Sequence, residues 1–164
     1  MRRLLRLYRP FAVALGIVLI GVALRPLADA VREDERVVAG GAAEAELTGA
    51  VSRGLTSVFG YAAGDVAATE RAAADVLRGP ALRQYRVLFG EVKRQAPEQR
   101  VTLVTRVVRT GVVSLDGDAA RVLVFLDQTA TRAGKPVGTP AAAQLVVTAR
   151  RDGGRWTIHD LRAV

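Results

Sequence analysis

After Pro97 the apolar residues of this chain change their spacing, from every third or fourth position to every second, and never change back. Period 3.6 marks an amphipathic helix and period 2 a strand. A chain that spends its first part on helices and its second on strands segregates them into an α+β fold. Upstream of Pro97 three helical stripes follow one another. Leu47, Val51, Leu55, Val58 and Phe59 form the first, and "GYAAGD" (Gly60 to Asp65) ends it. Asp65 is placed to cap a second helix carrying Val66, Thr69, Ala73, Val76 and Leu77 on one side. Gly79 suits the C′ position of that helix, and Pro80 the first turn of a third with the stripe Leu82, Tyr85, Phe89, Val92 and Ala96.

Downstream, "RVTLVTRVVRTGVVSL" (Arg100 to Leu115) predicts a long strand with Gly111 as the site of a bend or bulge. "DGD" (Asp116 to Asp118) is a hairpin turn, and "AARVLVFLDQTATR" (Ala119 to Arg132) the second strand. "AGKPVGTP" is a longer loop before the strand "AAAQLVVTAR" (Ala141 to Arg150), and "DGG" at Asp152 turns into a last strand from Arg155. The expected architecture is three helices packed on a curved, mostly antiparallel four-stranded sheet. Its strands are apolar on both faces: Val122, Val124 and Leu126 alternate with Leu123 and Phe125, and Leu145 and Val147 with Val146. One set faces the helices. The other, including Leu123, Phe125 and Val146, is either the outside of a strongly curved sheet, apolar through β-propensity alone, or the favoured alternative, a candidate surface for a homodimer mate or another protein.

Ahead of the helices, "MRRLLRLYRP" places four Arg before the uncharged run Phe11 to Leu24. Fourteen helical residues span about 21 Å of a hydrocarbon core of about 30 Å. Flanking leucines, with Arg9 and Arg25 reaching the headgroups, extend the reach. The positive-inside rule orients such an anchor with its N-terminus in the cytoplasm. A cleaved signal peptide fits equally, since "ADA" (Ala28 to Ala30) is an A-x-A-type site. Both readings export residues 31–164. The chain then divides into a basic cytoplasmic N-terminus (1–10), an anchor or signal h-region (11–27), a stalk (28–44) and an extracytoplasmic domain (45–164).

Composition narrows the function classes. There is no Cys, which removes thiolate zinc sites, disulfides and thiol catalysis together. The net charge is +8, but residues 37–164 carry 17 basic and 12 acidic side chains, scattered along the chain. No Arg stripe interleaves with exposed aromatics, so nucleic acid is not an expected partner. No Gly-rich phosphate loop, metal-ligand spacing or nucleophile elbow occurs, so neither cofactor nor metal is expected. The single His, His159, stands beside Asp160 in the closing stretch "RWTIHDLRAV". Strand alternation puts Trp156 in the core and turns His159 to the other side, a solvated or interface His rather than a catalyst. Asp160 shares the Trp156 face only if the strand stays regular to its end. Asp127 is expected to cap a strand end, with a cavity mouth as its alternative, and Asp65 to cap a helix. No catalytic residue is assigned.

The stretches "YAAGDVAAT" (Tyr61 to Thr69), "RVVRTGVVSLDGDAARVLVFLDQTAT" (Arg106 to Thr131) and "GGRWTIHDLRAV" (Gly153 to Val164), with the N-terminal segment and stalk, resemble the mammalian-cell-entry (Mce)-associated membrane proteins of actinobacteria. The resemblance implies an NTF2-like cone outside the membrane and a non-enzymatic accessory or scaffold role beside an Mce-type lipid import system, with transporter or envelope-complex proteins as partners. A lipid in the cone cavity would be in keeping with it. The same cone and inward-facing anchor occur in secretion-channel subunits of the VirB8 group, and NTF2-like cones also house isomerases and dehydratases. Fold alone does not choose among them.

Overall fold

A computed structural model describes residues 41–133 and 138–164. The expected N-terminus, anchor and most of the stalk (residues 1–40) lie outside the described residues. Helices α1 (Gly41–Phe59), α2 (Val66–Val76) and α3 (Gly79–Gln99) precede strands β1 (Val101–Asp116), β2 (Ala119–Arg132), β3 (Thr139–Asp152) and β4 (Arg155–Ala163). The strands form one antiparallel meander in the order β1-β2-β3-β4. Among the described residues no helix is long and apolar enough to cross a membrane.

The helical stripes face the sheet as their periodicity requires. Leu47, Val51, Leu55 and Val58 of α1 are fully buried, as are Ala73 of α2 and Leu77 after it. In α3, Ala81, Tyr85, Phe89 and Val92 are buried. Ala81 was not part of the expected stripe, and the side chain of Ala96 lies outside the described ones. From below come Val122, Val124, Val147, Ala149, Trp156 and Ile158. Each fully buried Leu, Val or Ile contributes about 1.5–3 kcal/mol by leaving water. Tyr85 stacks on Phe89, with ring centroids 4.9 Å apart, and Tyr61 meets Phe89 edge-on.

Local signals set the element ends. Asp65 Oδ1 accepts from the Ala68 N–H at 3.0 Å and caps α2, an interaction of about 1 kcal/mol. Gly153 and Gly154 both have positive φ, the pattern of a type I′ hairpin turn. Four sequence expectations are corrected. α1 begins at Gly41, inside the expected stalk. α3 runs past Pro97 to Gln99 and stops where Arg100 takes a left-handed φ of 48°, so the reversal at Arg100 ends the helix. β3 starts at Thr139, two residues early, because Thr139 and Pro140 still pair with Ala130 and Thr129. Gly111 is in register opposite Leu123, and the irregularities of β1 lie on either side, at Val108 and Val113. An extra residue bends a strand and increases its twist, so these two positions coil the long hairpin.

Both sheet edges are covered at one point. Tyr61 and Leu103 exchange N–H···O bonds of 2.9 and 2.8 Å at β1. At β4 the Arg78 N–H donates to the Ile158 carbonyl at 2.8 Å, beside a parallel bridge from Leu77. Covered edges offer less backbone for unwanted strand pairing.

Candidate functional site

The closing strand holds the chemistry-bearing residues. Ala149 pairs with Ile158 and Thr148 with Asp160, leaving His159 as an extra residue. The bulge keeps Trp156 and Ile158 on the helix side and carries Asp160 to the opposite face. His159 is half-buried, with Nδ1 near Gly79 at the α2–α3 junction. Its Nε2 lies 3.0 Å from Asp152 Oδ2 and 3.2 Å from Thr157 Oγ1. The Thr157 hydroxyl donates to the same Asp152 oxygen at 2.5 Å.

The partner of His159 is therefore Asp152, not the adjacent Asp160, which pairs instead with Arg162 at 2.8 Å. Sequence reasoning missed this carboxylate. The signal was the Gly153-Gly154 turn: it pairs Asp152 with Arg155 and Arg150 with Thr157, which brings Asp152 beside Thr157. A Thr, a His and an Asp in contact invite comparison with a nucleophile relay. A relay needs one imidazole nitrogen on the carboxylate and the other on the hydroxyl. Here Nε2 meets both, and the hydroxyl proton is already given to Asp152. The arrangement ties the hairpin together.

The Thr157 hydrogen bond holds the Asp152 carboxyl below its ordinary range, helped by His159 and by the charge of Arg78. A depressed carboxyl stabilises the fold above the unfolded value, and that contribution is lost as acid protonates it. Between about pH 5 and pH 2 the thermal midpoint of the protein should fall more steeply than that of Asp152→Asn. Parallel curves in calorimetry would show that the knot contributes nothing.

The second region is the sheet face turned away from the helices. Cross-strand register orders it in rows: Arg106, Asp127 and Ala142; Arg109, Phe125 and Gln144; Gly111, Leu123, Val146 and Arg162; Ser114, Arg121, Thr148 and Asp160. Leu123, Phe125 and Val146 all lie on this face, with Phe125 37 % exposed. The bulge residues Val108 and Val113 are exposed as well. Asp127 is neither at a strand end nor at a cavity mouth. It is exposed in mid-strand opposite Arg106, because β2 continues five residues beyond it to Arg132.

The third region is a groove of about 380 Å³ where the α1–α2 turn meets β1, lined by Thr56, Tyr61, Asp65, Thr69, Thr102 and Val104 among others. Several of its polar groups are engaged by the fold. Asp65 caps α2, the Thr69 hydroxyl donates to the Gly60 carbonyl at 3.1 Å, and Thr105 donates to the Phe59 carbonyl at 2.8 Å. Among the described residues no group of three or more His, Asp or Glu could hold a metal ion.

The sequence matches no family model. It is 32% identical over 123 residues to Outer membrane protein Rv1973 of Mycobacterium tuberculosis, covering 74% of this chain and 76% of that protein. The chain belongs to the family of that mycobacterial protein. Its fold is that of NTF2-like, VirB8-type domains. CagV, a VirB8 homolog of the type IV secretion system of Helicobacter pylori, superposes with a TM-score of 0.62 at 13% identity, over 73% of this chain and 97% of that one. An IcmL-like type IV secretion system protein of Legionella pneumophila gives 0.61 at 8% identity, over 73% and 91%.

Proposed function

We propose that this chain is a non-enzymatic, membrane-associated assembly subunit of a multi-protein complex of the cell envelope. It works through contacts of its outer sheet face. The observation that carries this reading is the part-exposed centre of that face, Leu123, Phe125 and Val146, which the helix-packed core does not use. The name of the mycobacterial relative supports an envelope location. The fold shared with type IV secretion proteins supports a scaffold of a secretion-type machine. The other machine it could serve is an Mce-type lipid importer. That second reading is supported by the mycobacterial origin of the relative, since the resembled Mce-associated family is actinobacterial. A lipid between helices and sheet would have to displace packing at Val122, Val124 and Val147, which are fully buried there.

The test is co-purification of the full chain from native membranes, with complementation of a deletion strain. Phe125→Arg should lose both partner recovery and complementation, with the folding free energy held within about 0.5 kcal/mol, as for other surface changes. His159→Ala should complement fully. A folded, abundant His159→Ala protein that fails to complement would turn the reading toward catalysis. A Phe125→Arg protein that keeps its partners would remove the outer face from it.

A further inference from the structure

Charge on the outer face is not spread evenly. Arg109, Arg121 and Arg150 are exposed and carry no ion pair among the described residues. They occupy β1, β2 and β3 in rows that step toward the hairpin ends, because Arg109 pairs with Phe125, Arg121 with Ser114, and Arg150 with Ala119. With strands about 4.8 Å apart and about 3.3 Å per residue, the three mark a diagonal roughly 22 Å long. Leu123, Phe125 and Val146 lie along one side of it. A four-turn helix has that length, at about 1.5 Å per residue.

We propose that this face takes an amphipathic helix of a partner protein, its apolar side on Leu123, Phe125 and Val146 and carboxylates along one flank on Arg109, Arg121 and Arg150. This rests on the assembly reading and names the chemistry of the partner. A second copy of the chain is the poorer occupant, since it would set one Arg diagonal against another, and like charges across an interface suppress pairing. An anionic lipid surface is also poorer. Asp127 and Asp160 sit on the same face, in rows on opposite sides of the apolar centre, and would be pressed against phosphate.

The probe is a synthetic four-turn helical peptide with a Leu stripe and Glu along one flank, compared with its Lys counterpart. Each is titrated onto the full chain in detergent and read by fluorescence anisotropy. The Glu peptide should bind roughly tenfold tighter than the Lys peptide, weaken with salt, and lose this preference on Arg109→Glu with Arg121→Glu. Phe125→Asp should abolish binding without moving the thermal midpoint. Equal binding of the two peptides, or none, overturns the proposal. So does Phe125-dependent retention on phosphatidylglycerol vesicles in place of peptide, or self-association that Phe125→Asp dissolves. If Phe125→Arg loses the native partner while the double Arg variant keeps it, the assembly reading stands and the acidic helix falls. If both variants keep the native partner, the assembly reading itself falls.

Discussion

Trp156→Ala should lower the folding free energy by about 3–5 kcal/mol, a large share of the 5–15 kcal/mol that holds a domain of this kind together. The ring is 9 % exposed on the helix side of β4, in a core built mostly from aliphatic side chains. It also joins two elements distant in sequence. The Arg151 guanidinium lies 5.0 Å above the ring centroid, and its Nη2 donates to Glu46 of α1 at 2.7 Å. Removing the indole leaves a void, and it takes away the surface on which Arg151 is positioned. Urea unfolding followed by circular dichroism measures the loss, since the only Trp is gone. Glu46→Gln, which weakens an exposed ion pair and spares the ring, should cost less than about 1 kcal/mol. A Trp156→Ala loss as small as that of Glu46→Gln would contradict the placement of the ring in the core.

Gly54→Leu should cost about 3 kcal/mol, and even Gly54→Ala should fail to stabilise. An exposed helical Gly replaced by Ala gains about 1 kcal/mol from propensity alone. Gly54 is buried where α1 crosses α2. A Cβ there would meet Val76 Cγ1 at 2.7 Å and Ile158 Cδ1 at 3.5 Å. Val76 is β-branched and helical, so its χ1 has one strongly preferred setting and the methyl cannot swing aside. The helices would have to separate, at the expense of the packing around Leu55 and Ile158. Pairing Gly54→Ala with Val76→Ala removes the obstructing methyl, and the double variant should be more stable than Val76→Ala alone. Gly54→Ala raising the urea midpoint by itself would show that the contact does not constrain the helices.

Much of this fold is legible in the chain because it is governed locally. The stripe from Leu47 to Val58, the Asp65 cap, the run from Ala119 to Arg132 and the two Asp-Gly turns each depend on neighbours a few residues away. The alternation of Val122 and Val124 with Leu123 and Phe125 likewise announces two apolar faces. The resemblance brought NTF2-like and VirB8-type domains into view, and the superposition on CagV supports that fold.

The bulges follow a different logic. Nothing near Gly111 in sequence distinguishes Val108 and Val113 as the extra residues, since their place depends on how β1 must coil to keep its inner side chains on α1 while staying paired with β2. The same holds for the last strand. Adjacent in sequence, His159 and Asp160 are separated by one bulge, which brings His159 to Asp152 and sends Asp160 to Arg162. The elements, their order and the positions at which the chain turns are legible along the chain, because helix and strand periods and turn conformations are short-range properties. Tertiary structure alone decided which carboxylate meets the single His and how three arginines align beside Phe125, because one extra residue in a ladder reverses every side chain after it, and only packing against the rest of the molecule fixes where that residue goes.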